Sequence, residues 1–296
     1  MTAETVIQRV ETSEKVLGEG MIIRRALPTR QRRMVGAWCF LDHFGPLELG
    51  NGPGMRVGPH PHTGLQTVSW LIEGEVLHRD SLGFVQRIRP GQLNLMTAGR
   101  GIAHSEESPI DRDAKLHGVQ LWIALPASEQ HRKPSFDHFP ELPRIAQDGW
   151  SVTVLAGDAL GERSPAIIHT PLVGLDITSA DAAATKLPLD PTFEYGAIAL
   201  TGSAKIDEEP LAVGTFLYLG HGRRAVTVRT SASARVMLLG GVPFEEEIIL
   251  WWNFVGRDRG ELTRACHEWN AGQGPFGEVR GYDGPRLTAP LPPWSA

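Results

Sequence analysis

The segment Gly58-Pro59-His60-Pro61-His62 sets two imidazoles two residues apart. On extended chain, residues i and i+2 leave the same face, so His60 and His62 can aim together into a barrel. Further along, Gly99-Arg100-Gly101-Ile102-Ala103-His104-Ser105-Glu106 repeats that spacing with His104 and Glu106. A lone His-X-His pair is a weak signal in a chain with eleven histidines, and the second pair is what strengthens it. Two such pairs on neighbouring strands would gather three imidazoles and one carboxylate around one point. That is a metal site with four protein ligands, and an octahedral ion would keep two positions open. No thiolate belongs to the set, which disfavours soft-metal and iron–sulfur chemistry. Fe(II) suits three His and a carboxylate, with Mn, Co, Ni, Cu or Zn allowed by affinity. Chemistry with dioxygen needs a redox-capable metal, and Fe(II) leads on that ground. Ser105 alternates with the two proposed ligands and is expected to point away from them. Gly99 and Gly101 are expected to bend the chain that delivers His104.

Strands must position these residues. Runs rich in Val, Ile, Leu and aromatics recur at Thr67–Ile72, Gly83–Ile88, Gln92–Met96, Gly118–Leu125, Ser151–Leu155, Ala197–Leu200, Thr215–Leu219, Ala225–Arg229 and Arg235–Leu239. They end at Gly, Pro, Asp or Asn, and 33 Gly with 22 Pro supply the turns. Helical periodicity is nearly absent before residue 240, so the fold is expected to be all-β, a sandwich or barrel. Trp70–Val76 followed by Arg89–Leu93 resembles Ile198–Ala204 followed by Ala212–Phe216: strand, turn glycine, strand, then a glycine entering another strand. This self-similarity predicts two related barrels in tandem. The expected division is 1–130 for a metal-binding barrel, 131–149 for a linker, 150–243 for a second barrel and 244–296 for C-terminal helices and tail. The acids Glu245–Glu247 are read as opening one helix. Arg259–Ala271 is read as another, with Leu262, Ala265, Cys266 and Trp269 as its apolar stripe and Gly272 as its stop.

Several stretches are similar to the pirin family of the cupin superfamily. They are Leu41-Asp-His-Phe-Gly-Pro, the run from His60 to Val68, Leu71–Val76, His78-Arg-Asp-Ser-Leu-Gly, Met96–Glu106 and His117–Trp122. The likeness is dense over residues 20–126 and looser afterwards, where the Trp-Asn-Phe-Val segment at 252–255 also fits. The resemblance implies a bicupin, two antiparallel β-barrels of which the first holds one metal, usually Fe(II). Residue by residue, the implied ligands are His60, His62, His104 and Glu106. It further implies kinship with bacterial pirins that act as quercetin 2,3-dioxygenases, opening the flavonol heterocycle with O2 and releasing CO. Glu106 is then the candidate catalytic base for the flavonol hydroxyl. The alternative implied by the same family is an iron-dependent, redox-sensing binding protein or transcriptional coregulator that recognises a protein partner without turnover.

The chain departs from the family pattern in two places. Gln66 replaces the usual Glu, which is read as removing a negative charge near the metal. Gly36–Phe40 replaces the usual Asp-Pro. Pro188–Asp190 are expected where the second barrel would carry its imidazoles, and His169 and His221 are read as isolated. His117 and Gln120 are read as lining the cavity or packing the core, His43 and His78 as structural, and Leu95, Met96, Trp70 and Trp122 as core or cavity wall.

Composition bounds the rest. The chain has 296 residues, 41% hydrophobic and 21% charged, enough for a core without staples. A net charge of −5 argues against nucleic acid as the main partner, and the cluster Arg24, Arg25, Arg30, Arg32 and Arg33 reads as a solvated edge. Two cysteines, Cys39 and Cys266, exclude a disulfide framework and suit a cytoplasmic, reducing setting. No apolar leader is expected in the first fourteen residues and no membrane span anywhere. No glycine-rich phosphate loop opens a helix, so no nucleotide or flavin cofactor is expected.

Overall fold

A computed structural model describes residues 7–17, 20–50, 52 and 54–295. The part of the leader expectation that falls on residues 1–6 lies outside them. The chain divides into two units. One comprises Met1–Glu14, Arg24–His43 and Glu141–Phe244, and the other Lys15–Ile23, Phe44–Pro140 and Glu245–Ala296. The strands Met21–Leu27 and Trp38–Glu48 run from one unit into the other.

Antiparallel pairing dominates, as the alternating runs require. The unit containing the His-X-His motif is built on a sheet in the order Ser135–Phe139, Leu93–Thr97, Leu65–Glu73, Lys115–Ala124, Trp38–Glu48, Met21–Leu27 and Ser13–Leu17. A second sheet runs Arg56–His62, Ile102–Glu107, Val76–Asp80, Val85–Ile88. The other unit repeats the plan. Its larger sheet runs Gln8–Glu11, Thr215–His221, Glu194–Thr201, Ala234–Gly241, Leu172–Ser179, Trp150–Ala156, Arg144–Gln147, and its smaller one Ala183–Pro188, Ala225–Thr230, Ser203–Ile206, Glu209–Ala212. The smaller sheets match strand for strand, which makes the duplication a property of the fold. The fold is therefore the expected all-β pair of barrels. All nine strand-like runs fall in or across observed strands.

The repeated turn glycines show why the sequence echoes itself. Gly74 and Gly202 both have positive φ, +81° and +65°. A Cβ on Gly74 would lie 2.2 Å from the Lys115 carbonyl oxygen, and one on Gly202 would lie 2.3 Å from that of Ser233. Each turn passes a neighbouring strand too closely for any side chain, so the same residue recurs for the same reason.

Two local expectations change. The stretch 131–149 is not simply a linker, because Ser135–Phe139 pairs with Leu93–Thr97 while Arg144–Gln147 pairs with Trp150–Ala156. Glu245–Glu247 open no helix. The Glu246 carboxylate instead accepts the Ala127 N–H at 2.9 Å and pairs with Arg257. The helix among the described residues is Arg259–Asn270. Its stripe of Leu262, Ala265, Cys266 and Trp269 is buried as read, against Ala103, Phe254, Phe276 and Ala289. No helix among the described residues is long and apolar enough to cross a membrane.

The helix start is tightly specified. Asp258 Oδ1 accepts the Glu261 N–H at 2.8 Å, and Glu261 Oε2 accepts the Arg257 N–H at 3.0 Å. An N-cap of this kind is worth about 1 kcal/mol. Asp258→Ala should therefore lower the melting temperature by about 2–4 °C in calorimetry. An unchanged melting temperature would show that the buried stripe alone holds the helix.

Candidate metal centre

The strand Arg56–His62 lies antiparallel to Ile102–Glu107 with His60 opposite His104. On its other side Ile102–Glu107 pairs with Val76–Asp80, placing His104 opposite Asp80 and Glu106 opposite His78. Alternation then sends His60, His62, His104 and Glu106 to one side of the small sheet. Ala103 faces the other way, into the cluster formed by the C-terminal helix and Phe254 and Phe276. Ser105, fully buried, also points away from the imidazoles, and its hydroxyl has no hydrogen-bond partner among the described residues. Gly99 turns the chain with φ +52°, and a Cβ there would stand 2.1 Å from the Arg132 carbonyl oxygen.

Ring nitrogens of His60, His62 and His104 converge within 4.8 Å of one another. Ring centroids stand 4.3 Å apart for His60 and His104, and 4.9 Å for His62 and His104. The Glu106 carboxylate converges within the same distance on His104 and on His78. His78 is thus brought to the site, contrary to its reading as structural. The signal was present in the sequence, since His78-Arg79-Asp80 has the same two-residue spacing as the other pairs.

Burial sets the electrostatics. All three imidazoles are buried, and loss of hydration pushes His60 down to about 4 and His62 and His104 well below the usual histidine range. The imidazoles would also repel one another if charged, which lowers His62 and His104 further. They are therefore neutral donors at neutral pH. The His60 Nδ1–H donates to the Gly58 carbonyl at 2.8 Å, which leaves Nε2 bare. His62 Nε2 and His104 Nε2 face each other at 3.0 Å. That separation is met by an N–H···N hydrogen bond in metal-free protein and equally by two lone pairs turned on one ion, and with His60 Nε2 bare beside them this donor set fits a bound cation. His60, His62, His104 and Glu106 are the residues that would hold it.

Glu106 is half-buried, and desolvation raises its carboxyl above the usual range, offset in part by the neighbouring His78 and the Ser69 hydroxyl. Ser69 Oγ lies 3.3 Å from Glu106 Oε1 and 2.9 Å from Gln120 Oε1. One hydroxyl proton serves one acceptor at a time, so Glu106 is held only in part. The Trp122 indole meets the His62 ring edge to face, with centroids 5.1 Å apart.

Other candidates fall elsewhere. Gln66 is fully buried, but it alternates with Thr67 and Ser69 and leaves the opposite sheet face, where its amide donates to Thr97 Oγ1 at 2.9 Å. Its reading as a lost charge beside the metal is corrected accordingly. His43 and His117 are buried outside both metal-capable groups, and His169 and His221 belong to neither. In the second unit the smaller sheet contributes Leu187, Ile206, Val226 and Val228 to an apolar core.

Acid should destabilise the metal-free protein. The three imidazoles have folded values below the unfolded 6.5, so the folded state resists protonation. That stability is complete above pH 6.5 and is lost as pH falls toward 4. Glu106, raised, works in the opposite sense but is one group against three. The melting temperature of metal-free protein should fall steeply between pH 7.5 and 5, and a flat profile would contradict neutral buried imidazoles. Replacing His60, His62 or His104 by Ala should abolish tight divalent-metal uptake in elemental analysis. A His104→Ala protein with wild-type metal content would remove that residue from the ligand set.

The sequence profile described as Pirin matches residues 20–123, and that described as Pirin C-terminal cupin domain matches residues 174–275. A Pseudomonas aeruginosa protein, named provisionally as a quercetin 2,3-dioxygenase, is 51% identical over 98% of this chain and 92% of its own. A pirin-like protein of Caulobacter vibrioides is 35% identical over 85% of this chain and 88% of its own. The crystal structure of a quercetin 2,3-dioxygenase from Acinetobacter baumannii superposes with a TM-score of 0.96 at 46% identity, covering 100% of this chain and 99% of the other. With both halves matched in order and the small sheet carrying its imidazoles as the motifs require, the chain belongs to the pirin family.

Proposed function

We propose that this protein is a metal-dependent dioxygenase that opens the heterocycle of flavonols such as quercetin, consuming O2 and releasing CO with a depside. The reading rests on one observation, the convergence of three buried neutral imidazoles beside a carboxylate of raised pKa. Its support is the similarity to relatives named for that reaction. Fe(II) is the proposed metal, and when bound it would supply Lewis acidity and electron exchange with dioxygen. The two buried cysteines, which form no disulfide among the described residues, accord with a reducing cytoplasm.

The chain's own groups have assignable tasks. His60, His62 and His104 supply neutral nitrogen donors on a rigid pair of strands. Glu106 accepts the proton of the flavonol 3-hydroxyl at a carboxylate oxygen. Its raised pKa brings it closer to neutral pH and makes it a stronger base than a solvated carboxylate. Ser69 can follow the change, because its hydroxyl donates to Glu106 when that group is charged and to Gln120 when it is not. Trp122 walls the imidazoles with hydrocarbon and so limits water there.

Iron-loaded protein incubated with quercetin in air should release CO and depside in equal amounts, read by gas analysis and chromatography. Glu106→Gln, which keeps the shape and removes the base, should reduce kcat by about 10²–10⁴-fold. No CO with iron or with any of Mn, Co, Ni, Cu and Zn would overturn the assignment.

A further inference from the structure

His78 and Asp80 lie outside the ligand set assigned above, yet they touch it. His78 Nδ1 is 3.4 Å from His104 Nδ1, and its Nε2 is 3.0 Å from Asp80 Oδ2. Both side chains are buried, with 3% and 0% exposure, so water does not compete for these contacts. Asp80 is fixed in turn. Its Oδ1 accepts the N–H groups of Leu82 at 2.9 Å and Phe84 at 3.1 Å, in the turn that follows its strand. The His78 ring is clamped flat against Phe136, with centroids 4.3 Å apart and planes 13° off parallel. Phe84, from the same turn as the Asp80 contacts, packs on the far ring at 5.2 Å.

Proton positions follow from which atoms can only accept. A carboxylate holding two main-chain N–H groups on one oxygen presents the other as an acceptor, so His78 Nε2 carries a proton. With its one ring proton on Nε2 toward Asp80, His78 has a bare Nδ1. That nitrogen accepts from His104 Nδ1, which forces the His104 proton onto Nδ1 and bares Nε2. The bared atom is the one that faces His62 Nε2 at 3.0 Å.

We propose that His78 and Asp80 are positioning residues that lock His104 in the tautomer with Nε2 free for the metal. The chain of contacts runs from the Leu82 and Phe84 amides through Asp80 and His78 to His104. It fixes both the ring orientation and the tautomer of the ligand, the two things an outer carboxylate–histidine pair supplies to a metal site. The proposal rests on the metal reading of His60, His62 and His104, but its structural half holds in metal-free protein and can be tested there.

Metal-free protein labelled with 15N-histidine should show at pH 8 a protonated Nδ1 and bare Nε2 at His104, and the reverse at His78. The reverse pattern at His104 overturns the proposal whether or not any metal binds. The Asp80→Asn variant preserves shape while changing the logic. Its amide oxygen is claimed by the two main-chain N–H groups, so its NH2 faces His78 Nε2. That moves the His78 proton to Nδ1 and the His104 proton to Nε2. Titration with Co(II) alone should then show affinity reduced about 10–100-fold. The double variant His78→Phe/Asp80→Asn removes the inverted donor and should bind Co(II) more tightly than Asp80→Asn alone. A merely structural role predicts further loss in the double variant, and that result overturns the proposal, as does wild-type affinity in Asp80→Asn. Should wild-type protein bind no Co(II), the metal reading fails, and the 15N pattern still decides the tautomer.

Discussion

The site depends on the pairing of two strands, Arg56–His62 against Ile102–Glu107, in a register that sets His60 opposite His104. A slip of one residue would send every imidazole to the far face of the sheet, because side chains alternate with period two. That face is occupied by hydrocarbon, with Ala103 packed among Phe254, Leu262 and Phe276. The C-terminal helix therefore does more than cover surface. By filling the outer side of Ile102–Glu107 with apolar side chains, it makes the correct register the only one that buries Ala103 and keeps histidines out of hydrocarbon. The inner face then collects groups that cannot all be charged. Three imidazoles lose hydration there, and a cation between them would compensate what burial removes.

Duplication shows what the site costs. Both units use the same order of strands in their smaller sheets. In one, the first two strands of that order carry His60, His62, His104 and Glu106. In the other, the matching strands carry Leu187, Val226 and Val228 in an apolar core. The second arrangement buries hydrocarbon in a barrel with no polar group to satisfy, which favours stability. The first gives up that burial for a set of donors. One architecture accommodates both, so the function resides in the residues that line the barrel and not in the barrel itself.

Much of this was legible from spacing alone. His-X-His and His-X-Glu are local patterns whose consequence needs only the alternation of a strand, and the stripe Leu262, Ala265, Cys266, Trp269 needs only the pitch of a helix. What escaped was non-local. His78 shows the two-residue spacing with Asp80, but its role depends on lying beside Ile102–Glu107, and no local rule states which strands will pair. Gln66 was placed near the ligands by its distance in sequence from His62, whereas parity along Leu65–Glu73 puts it on the other face from Ser69. The segment Gln8–Glu11 joins the larger sheet of its own unit beside Thr215–His221, a pairing across some two hundred residues of chain. That position matches the one Ser135–Phe139 takes in the unit that carries the imidazoles. Glu245–Glu247 met the charge preference of a helix start, but the β-branched and aromatic run behind them pairs as a hairpin, Ile249–Trp251 with Phe254–Gly256, and charge alone does not nucleate a helix.

The surroundings of the imidazoles are unequal, and the inequality bears on how a substrate would arrive. His60, His62 and His104 are buried, with exposures of 6%, 1% and 2%. The His62 side is closed by Trp122, and the His104 side by His78 with Phe136 stacked on it. Glu106 and Gln120 are half-buried and meet at the Ser69 hydroxyl. The residue proposed to take the proton therefore keeps some exposure, and the nitrogen donors are the more deeply buried groups. That arrangement separates two demands that conflict at a single residue. Dry surroundings keep the imidazoles neutral and available, while the second acceptor at Ser69 leaves the carboxylate only partly held and able to take a proton.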